Sequence, residues 1–234
     1  MDQAPEVRTA QTAVVVWDIP LRLWHWCFAC AVAGALVTGL LRDVTLMQWH
    51  QRCGWAALGL LVWRLGWGFW GSGAARWGSF KATLSGRPFA AGEPPAEIGL
   101  DGQGVQSGAQ SSVRSRPGAL LGLALPFFVL LQASAGLFTS DFIFNEGPLV
   151  RHVSEAWVDV LSSLHHRLYW VVIALVSLHL SAHLVYALRR DAVVLGMFTG
   201  RKRLTVAPAD HHLWRAALWT LSVAALLAAS IWAL

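Results

Sequence analysis

The sequence carries little charge. Only 13% of its 234 residues are Asp, Glu, Lys or Arg, whereas soluble globular proteins have about 25%. Hydrophobic residues make up 56% and the mean hydropathy is +0.49, which argues against a cytosolic enzyme and favours a membrane protein. The net charge of +5 comes from basic residues in short loops beside apolar runs, not from one basic stripe, so nucleic acid is not an expected partner.

Cysteine is also scarce. The three cysteines, Cys27, Cys30 and Cys53, are too few for a disulfide framework, and we expect them to be small buried side chains. Cys27 and Cys30 form a C-x-x-C pair, but Ala31 follows where covalent haem attachment requires His. The polar stretch before the first apolar run lacks the pattern of a cleaved signal peptide, so that run is expected to stay in the membrane.

Five apolar runs have the roughly 20 residues that a helix needs to cross a bilayer. They extend over residues 21–41, 50–70, 118–138, 164–188 and 213–234. The runs are too long and too unalternating for barrel strands. The prediction is therefore an all-α integral membrane helical bundle.

The segments between these runs complete the predicted organisation. It comprises an N-terminal cytoplasmic segment (1–20), spans 1 and 2 (21–70), a cytoplasmic loop (71–117), spans 3 and 4 with a periplasmic connection (118–188), a basic cytoplasmic segment (189–212) and span 5 (213–234). The front of the loop, residues 75–84, mixes aromatic and basic residues as an interfacial segment does. Residues 86–116 are rich in Gly, Ser, Pro and Gln, which predicts a mobile loop.

Basic residues predict the orientation, because cytoplasmic loops of membrane proteins are enriched in Lys and Arg. One set of alternating connections carries all of the 18 basic residues except Arg42, Arg52, Arg151 and Arg167. This places the N-terminus in the cytoplasm and, after five spans, the C-terminus in the periplasm. The connection before the fourth span is acidic and is either a solvated loop or a docking surface for a soluble partner; its carboxylates are Asp141, Glu146, Glu155 and Asp159.

Histidines are unusually frequent at membrane depth. Six of the nine lie in the predicted spans: His25, His50, His165, His166, His179 and His183. Ionisable residues inside a bilayer are costly and are functional candidates by default. Packing, zinc or copper ligation, proton relay and haem ligation are the alternatives.

Depth and spacing narrow these alternatives. His25 lies near the cytoplasmic end of the first span and His50 opens the second span at the outer face, so the two cannot share one metal. On the fourth span His179 follows His165 by 14 residues, which is about 21 Å along the axis and about 40° short of four turns. His183 is also level with His25, and spacing alone does not choose between it and His179.

Two imidazole pairs at two depths are what two stacked bis-histidine haems require. Such haems have no open iron position and shuttle single electrons. A metal transporter would gather carboxylates or thiolates at one midplane site, and the sequence shows no such group. His166 points about 100° away from His165 and is expected to have a structural or interfacial role.

Several short motifs add a family resemblance. They are Val16-Trp17-Asp18-Ile19-Pro20, Arg22-Leu23-Trp24-His25-Trp26, His50-Gln51-Arg52-Cys53-Gly54, the pair His165 and His179, and Met197-Phe198-Thr199-Gly200-Arg201-Lys202. In this order and spacing they resemble the bacterial cytochrome b561 and nickel-hydrogenase b-type cytochrome family. The resemblance covers the first four spans, with the fifth span as an addition.

The resemblance implies a four-helix core that holds two non-covalent haem b groups. Its implied axial ligands are His25, His50, His165 and His179. It also implies an electron-transfer subunit of the respiratory chain in the bacterial inner membrane, not a stand-alone catalyst with catalytic residues of its own. Electrons would pass between membrane quinone and a periplasmic partner such as a hydrogenase, a c-type cytochrome or another reductase.

Three further possibilities accompany this expectation. Trp17, Asp18 and Arg22 cluster where the first span enters the membrane, and either hold a quinone carbonyl or a haem propionate or serve as interfacial anchors. A superoxide:quinone oxidoreductase of the same fold is an alternative function, although acidic residues outnumber the arginines that would steer the anion on the outer face. A histidine-bearing transporter or scaffold is the non-redox alternative.

Overall fold

The computed structural model describes residues 12–86, 115–141, 143, 145–189, 193–204 and 213–233. The elements in chain order are β1 (Thr12–Val15), α1 (Ile19–Leu41), α2 (Met47–Trp70), α3 (Trp77–Leu84), α4 (Arg116–Gly136), α5 (Glu155–Leu188), α6 (Val193–Thr199), β2 (Arg201–Leu204) and α7 (Leu213–Ala233). The prediction of a helical chain is confirmed, with one short strand pair in addition. Residues 86–116, predicted as a mobile loop, lie largely outside the described residues.

Three of the described helices, α1, α4 and α5, are long and apolar enough to cross a membrane. Helix α2 has 24 residues but carries Arg52 and Arg64, and the apolar part of α7 is shorter, Leu213–Leu226. Large apolar side chains remain exposed along α5, among them Leu180 and Leu184, as expected for a surface that faces lipid. The predicted count of four spans plus one stays a prediction.

Two helix boundaries differ from the predicted spans for clear local reasons. Helix α1 begins at Ile19 because the Asp18 carboxylate accepts a hydrogen bond from the Leu21 N–H at 2.9 Å, which caps the helix. Helix α5 begins at Glu155 rather than Leu164 and has 34 residues, or about 51 Å. It therefore extends beyond a hydrocarbon core of about 30 Å, and its first turns carry two of the carboxylates predicted in the connection.

The long helices pack as two pairs. Helix α1 lies along α2, α4 lies along α5, and contacts between α2 and α4 join the pairs. An apolar layer fills the middle of the bundle: Phe28, Ala31, Val32, Ala57, Leu61, Val129 and Val172. Only Val158 and Val172 of α5 are buried, so this helix is covered much less than its partners.

A strand pair ties the start of α1 to the end of α6. Strands β1 and β2 are antiparallel, with Val15 opposite Arg201, and the N–H groups of Val16 and Trp17 donate to the Gly200 carbonyl at 2.8 and 3.2 Å. Gly200 has a φ of 75°, and a Cβ there would lie 2.7 Å from the Trp17 carbonyl oxygen. The motif at residues 197–202 thus has a structural reason for its glycine.

Helix α7 packs against the C-terminal half of α2. The Trp219 indole donates to the Trp63 carbonyl at 2.8 Å, and the Trp63 indole donates to the Thr220 hydroxyl at 3.0 Å. Gly66 leaves the space that the Trp219 ring occupies, since a Cβ there would lie 2.2 Å from that ring. These contacts seat α7 beside one end of the bundle.

Candidate functional site

The structure brings two pairs of histidines together, named the outer and the inner pair after their predicted sides of the membrane, and the outer pair bridges α2 and α5. The ring centroids of His50 and His165 are 6.0 Å apart. The Nδ1 of His50 donates to the Ala35 carbonyl of α1 at 2.9 Å, and the Nδ1 of His165 donates to the Gln132 carbonyl of α4 at 2.8 Å. Because a carbonyl oxygen only accepts, both protons lie on Nδ1 and each Nε2 keeps its lone pair. This is the tautomer and orientation of a metal-binding imidazole.

Two glycines make room for the outer imidazoles. A Cβ built on Gly39 would lie 3.0 Å from Cε1 of His50, and one built on Gly136 would lie 2.9 Å from Cε1 of His165. Each ring therefore rests against the backbone of the neighbouring helix. Neither glycine was predicted to belong to the site, since these are contacts between helices that no local sequence pattern reports.

The inner histidine pair bridges α1 and α5. The ring centroids of His25 and His179 are 6.2 Å apart, and the ring of His183 lies 4.4 Å from that of His179. No residue in the described part of the chain forms a hydrogen bond with the ring of His25 or His179. The inner site thus brings three imidazoles together without the backbone anchors of the outer site.

His166 lies beside the outer pair, with its ring centroid 6.0 Å from that of His165, but it is not a member of either pair. Its side chain is exposed, and its Nδ1 donates to the Ser162 carbonyl one turn earlier on α5, at 2.7 Å. This local contact fits the structural or interfacial role expected for it.

The spacing within each pair fits one iron between two imidazoles. An imidazole nitrogen binds a first-row metal at about 2.0 Å and the ring centroid lies about 1.1 Å behind it, so trans imidazoles have centroids about 6.2 Å apart. The observed separations are 6.0 and 6.2 Å. All four imidazole rings are partly buried. They do not belong to the apolar layer, and none of them is fully exposed to solvent. The residues therefore fit two bis-histidine haems.

An apolar layer separates the two pairs. His165 and His179 are 14 residues apart on one helix, or about 21 Å. Phe28, Leu61 and Val129 lie among the buried residues at the centre of the bundle. Groups held by the two pairs would thus be insulated from each other by hydrocarbon.

The cluster at the start of α1, which consists of Trp17, Asp18 and Arg22, contacts neighbouring parts of the protein. The Asp18 carboxylate is buried and accepts from the Leu21 N–H and from the Trp67 indole, the latter at 3.2 Å. Arg22 donates to the carbonyl of Phe198 in α6. Trp17 is buried and its ring lies where a side chain on Gly196 would clash. These contacts fit the anchoring role, and Nε of Arg22 is buried without a hydrogen-bond partner among the described residues.

The predicted outer end of the bundle carries two kinds of carboxylate, some that accept local hydrogen bonds and some that are exposed. In the connection between α1 and α2, hydrogen bonds from the Thr45 hydroxyl and N–H lower the pKa of Asp43. Asp141 accepts from the backbone N–H groups of residues 143 and 145 and so shapes its own loop. Glu155 and Asp159 are exposed on the first turns of α5.

The cysteines correct one expectation. Cys27 and Cys30 are free and exposed on α1, and Cys53 is partly buried, whereas all three were expected to be buried. The side chains of Cys27 and Cys30 lie on the exposed face of α1. An apolar run in a membrane protein therefore does not by itself predict burial within the protein.

The comparisons with known proteins agree with the motifs. Residues 16–200, which run from the end of β1 through α6 and include all four paired histidines, match the family model described as prokaryotic cytochrome b561. Helix α7 lies beyond the matched segment. No curated protein and no solved structure matches the chain. The resemblance drawn from the sequence motifs is confirmed.

Proposed function

Because the chain belongs to the prokaryotic cytochrome b561 family, we propose that it is a dihaem cytochrome b that transfers electrons across the bacterial inner membrane. Membership makes it an integral membrane protein of a family that binds haem b and transfers electrons. The count of two haems, their ligands, the redox partners and the orientation are the proposal.

The observation that carries the proposal is the presence of two imidazole pairs at the separation that one iron requires. His50 and His165 are proposed to hold the outer haem, and His25 and His179 the inner haem. Bound in this way, each haem supplies a one-electron redox centre without an open position for oxygen. The family resemblance, not the spacing, favours His179 over His183.

The protein's own groups orient these ligands and isolate the centres. The carbonyls of Ala35 and Gln132 fix the outer rings. The apolar layer around Leu61 keeps water out of the middle of the bundle. Electrons would therefore pass between the two proposed haems without a polar path between them.

The proposed orientation puts the inner pair on the cytoplasmic side. Arg22 and Arg201 lie where β1, β2 and α1 meet, which agrees with the enrichment of basic residues on the cytoplasmic side. With five spans, a reporter enzyme fused after Leu234 is expected to be active only in the periplasm. Activity in the cytoplasm would mean an even number of spans.

We propose membrane quinone and a periplasmic redox protein as the two electron partners. The exposed carboxylates of Glu155 and Asp159 stand on α5 above the outer pair, and negative side chains there would attract a basic face of a soluble partner. A hydrogenase, a c-type cytochrome or another reductase would all meet this requirement.

The test is electron transfer by the purified protein in lipid vesicles. A quinol in the bilayer should reduce the haems, seen by visible absorbance, and a membrane-impermeant acceptor on the periplasmic side should reoxidise them. The His25→Ala protein, which lacks an inner ligand, should bind the outer haem but pass electrons far more slowly. Haems that quinol does not reduce would contradict the quinone assignment.

A further inference from the structure

Arg64 is a buried cation that forms no salt bridge within the described part of the chain, although Asp18 is near enough to interact with its charge. It lies on α2 and is 6% exposed. One terminal nitrogen, Nη2, donates to the Ala75 carbonyl at 3.0 Å, while Nη1 is buried and has no hydrogen-bond partner among the described residues. Burial of an unpaired charge is costly. The nearby buried acid, Asp18, is already engaged by Leu21 and Trp67.

Aromatic rings enclose the rest of the guanidinium. Its central carbon lies 4.5 Å from the ring centroid of Trp77, 5.6 Å from that of Trp24 and 5.9 Å from that of Phe80. These rings stabilise the cation and shield it from water, but they offer no acceptor in the plane of the guanidinium. The unpartnered Nη1 is therefore the group that a ligand oxygen would meet.

The place of Arg64 on α2 puts it level with the inner pair. It follows His50 by 14 residues, the same interval that separates His165 from His179 on α5. This is about 21 Å along the helix and about 40° from the same face. Ala57 and Leu61, which lie between His50 and Arg64 on that side of α2, are both part of the apolar layer. The same 14-residue interval is visible in the sequence. There, Arg64 serves only as one of the basic residues that predict the orientation.

We propose that Nη1 of Arg64 binds a propionate carboxylate of the inner haem. The inference rests on the proposed function, since it requires a haem between His25 and His179. An arginine is suited to this task because its planar fork matches a carboxylate. At the level of the outer pair the corresponding position of α2 is His50 itself, and among the described residues Arg64 is the arginine that is buried. Arg64 thus distinguishes the two sites by charge.

The first experiment is redox titration of the Arg64→Gln protein. A positive charge favours the reduced haem, so its loss should lower the reduction equilibrium constant of the inner haem about tenfold, or about 59 mV for one electron. The outer haem should change by less than twofold, and Arg64→Lys, which keeps the charge, should shift the inner haem less than Arg64→Gln. Arg76→Gln is the matched control, because Arg76 is exposed at the same end and its side chain donates, among the described residues, to the Gly71 carbonyl alone.

A second measurement begins with the wild-type protein, so its first result does not depend on the folding of a variant. Wild-type apoprotein should bind haem at the inner site about tenfold more tightly than it binds the haem dimethyl ester, whose carboxylates are neutral, and this preference should vanish in Arg64→Gln. Equal binding of the two by the wild type, or an unchanged inner potential in Arg64→Gln, would overturn the proposal. So would loss of a co-purified anionic phospholipid from Arg64→Gln in place of a haem effect. A wild-type protein that binds no haem would instead refute the proposed function.

Discussion

The outer and inner histidine pairs have nearly equal spacing but are held very differently. At the outer pair, His50 and His165 each donate to a carbonyl of a neighbouring helix and rest against a glycine. At the inner pair, His25 and His179 have neither kind of support among the described residues, and a third imidazole, His183, lies beside them.

This difference indicates two ways to prepare a haem site. The outer rings are fixed in orientation by the protein before any cofactor binds, so little ordering remains to oppose binding. Within the described residues the inner rings are positioned by their helices alone, and we expect them to depend more on the proposed haem and on the charge of Arg64. We therefore expect the outer site to be sensitive to small steric changes, and the inner site to electrostatic ones.

The largest effect should follow removal of one proposed haem ligand. His50→Ala or His165→Ala should reduce the haem content from two per chain to one and retain the inner haem. His25→Ala should do the reverse. Haem extraction and redox titration of each variant measure this. Loss of both haems in a folded variant would show that the two sites are not independent, which would contradict the account of two separately held pairs.

The second prediction separates the two candidate inner ligands on α5. Removal of an axial ligand opens a coordination position, whereas removal of a neighbouring imidazole leaves six-coordinate iron. His179→Ala should lose the inner haem or make it bind carbon monoxide, with the outer haem retained. His183→Ala should keep two low-spin haems and at most change a midpoint potential. The opposite pattern would transfer the ligand role to His183.

A third, smaller effect tests the steric support of the outer pair. Gly39→Ala and Gly136→Ala should each displace an outer imidazole and weaken binding of the proposed outer haem, since the new Cβ would lie about 3 Å from the ring. Gly54→Ala on α2 is the matched control, because nothing lies within 4 Å of its Cβ position. Equal haem retention in all three proteins would show that the glycines do not shape the outer site.

The smallest effect concerns α7, which packs beside the inner half of α2. Trp219→Phe removes the hydrogen bond to the Trp63 carbonyl and should cost about 1 kcal/mol of stability while both haems remain bound. Thermal unfolding followed by haem absorbance measures the loss. A change in the outer haem would contradict the separation of the two halves.

Sequence patterns predicted the helices and the pairing because both depend on intervals along the chain. The 14-residue interval on α5 and the positions of His25 and His50 were sufficient to set two levels. The supports of the outer rings were not predictable, because Gly39, Gly136 and the Gln132 carbonyl meet the imidazoles only when helices pack. Helix α5 was predicted too short, since its first turns are polar and lie beyond the apolar run.

The most direct test of the central claim is a reductive titration of the purified protein with its haem extracted and counted. Two haems b per chain should dissolve in acid acetone, since no covalent C-x-x-C-H attachment is present. The intact protein should show two one-electron steps with low-spin, bis-histidine absorbance. A single haem, covalently retained haem, or a five-coordinate spectrum in the wild-type protein would contradict the assignment of one haem to each imidazole pair.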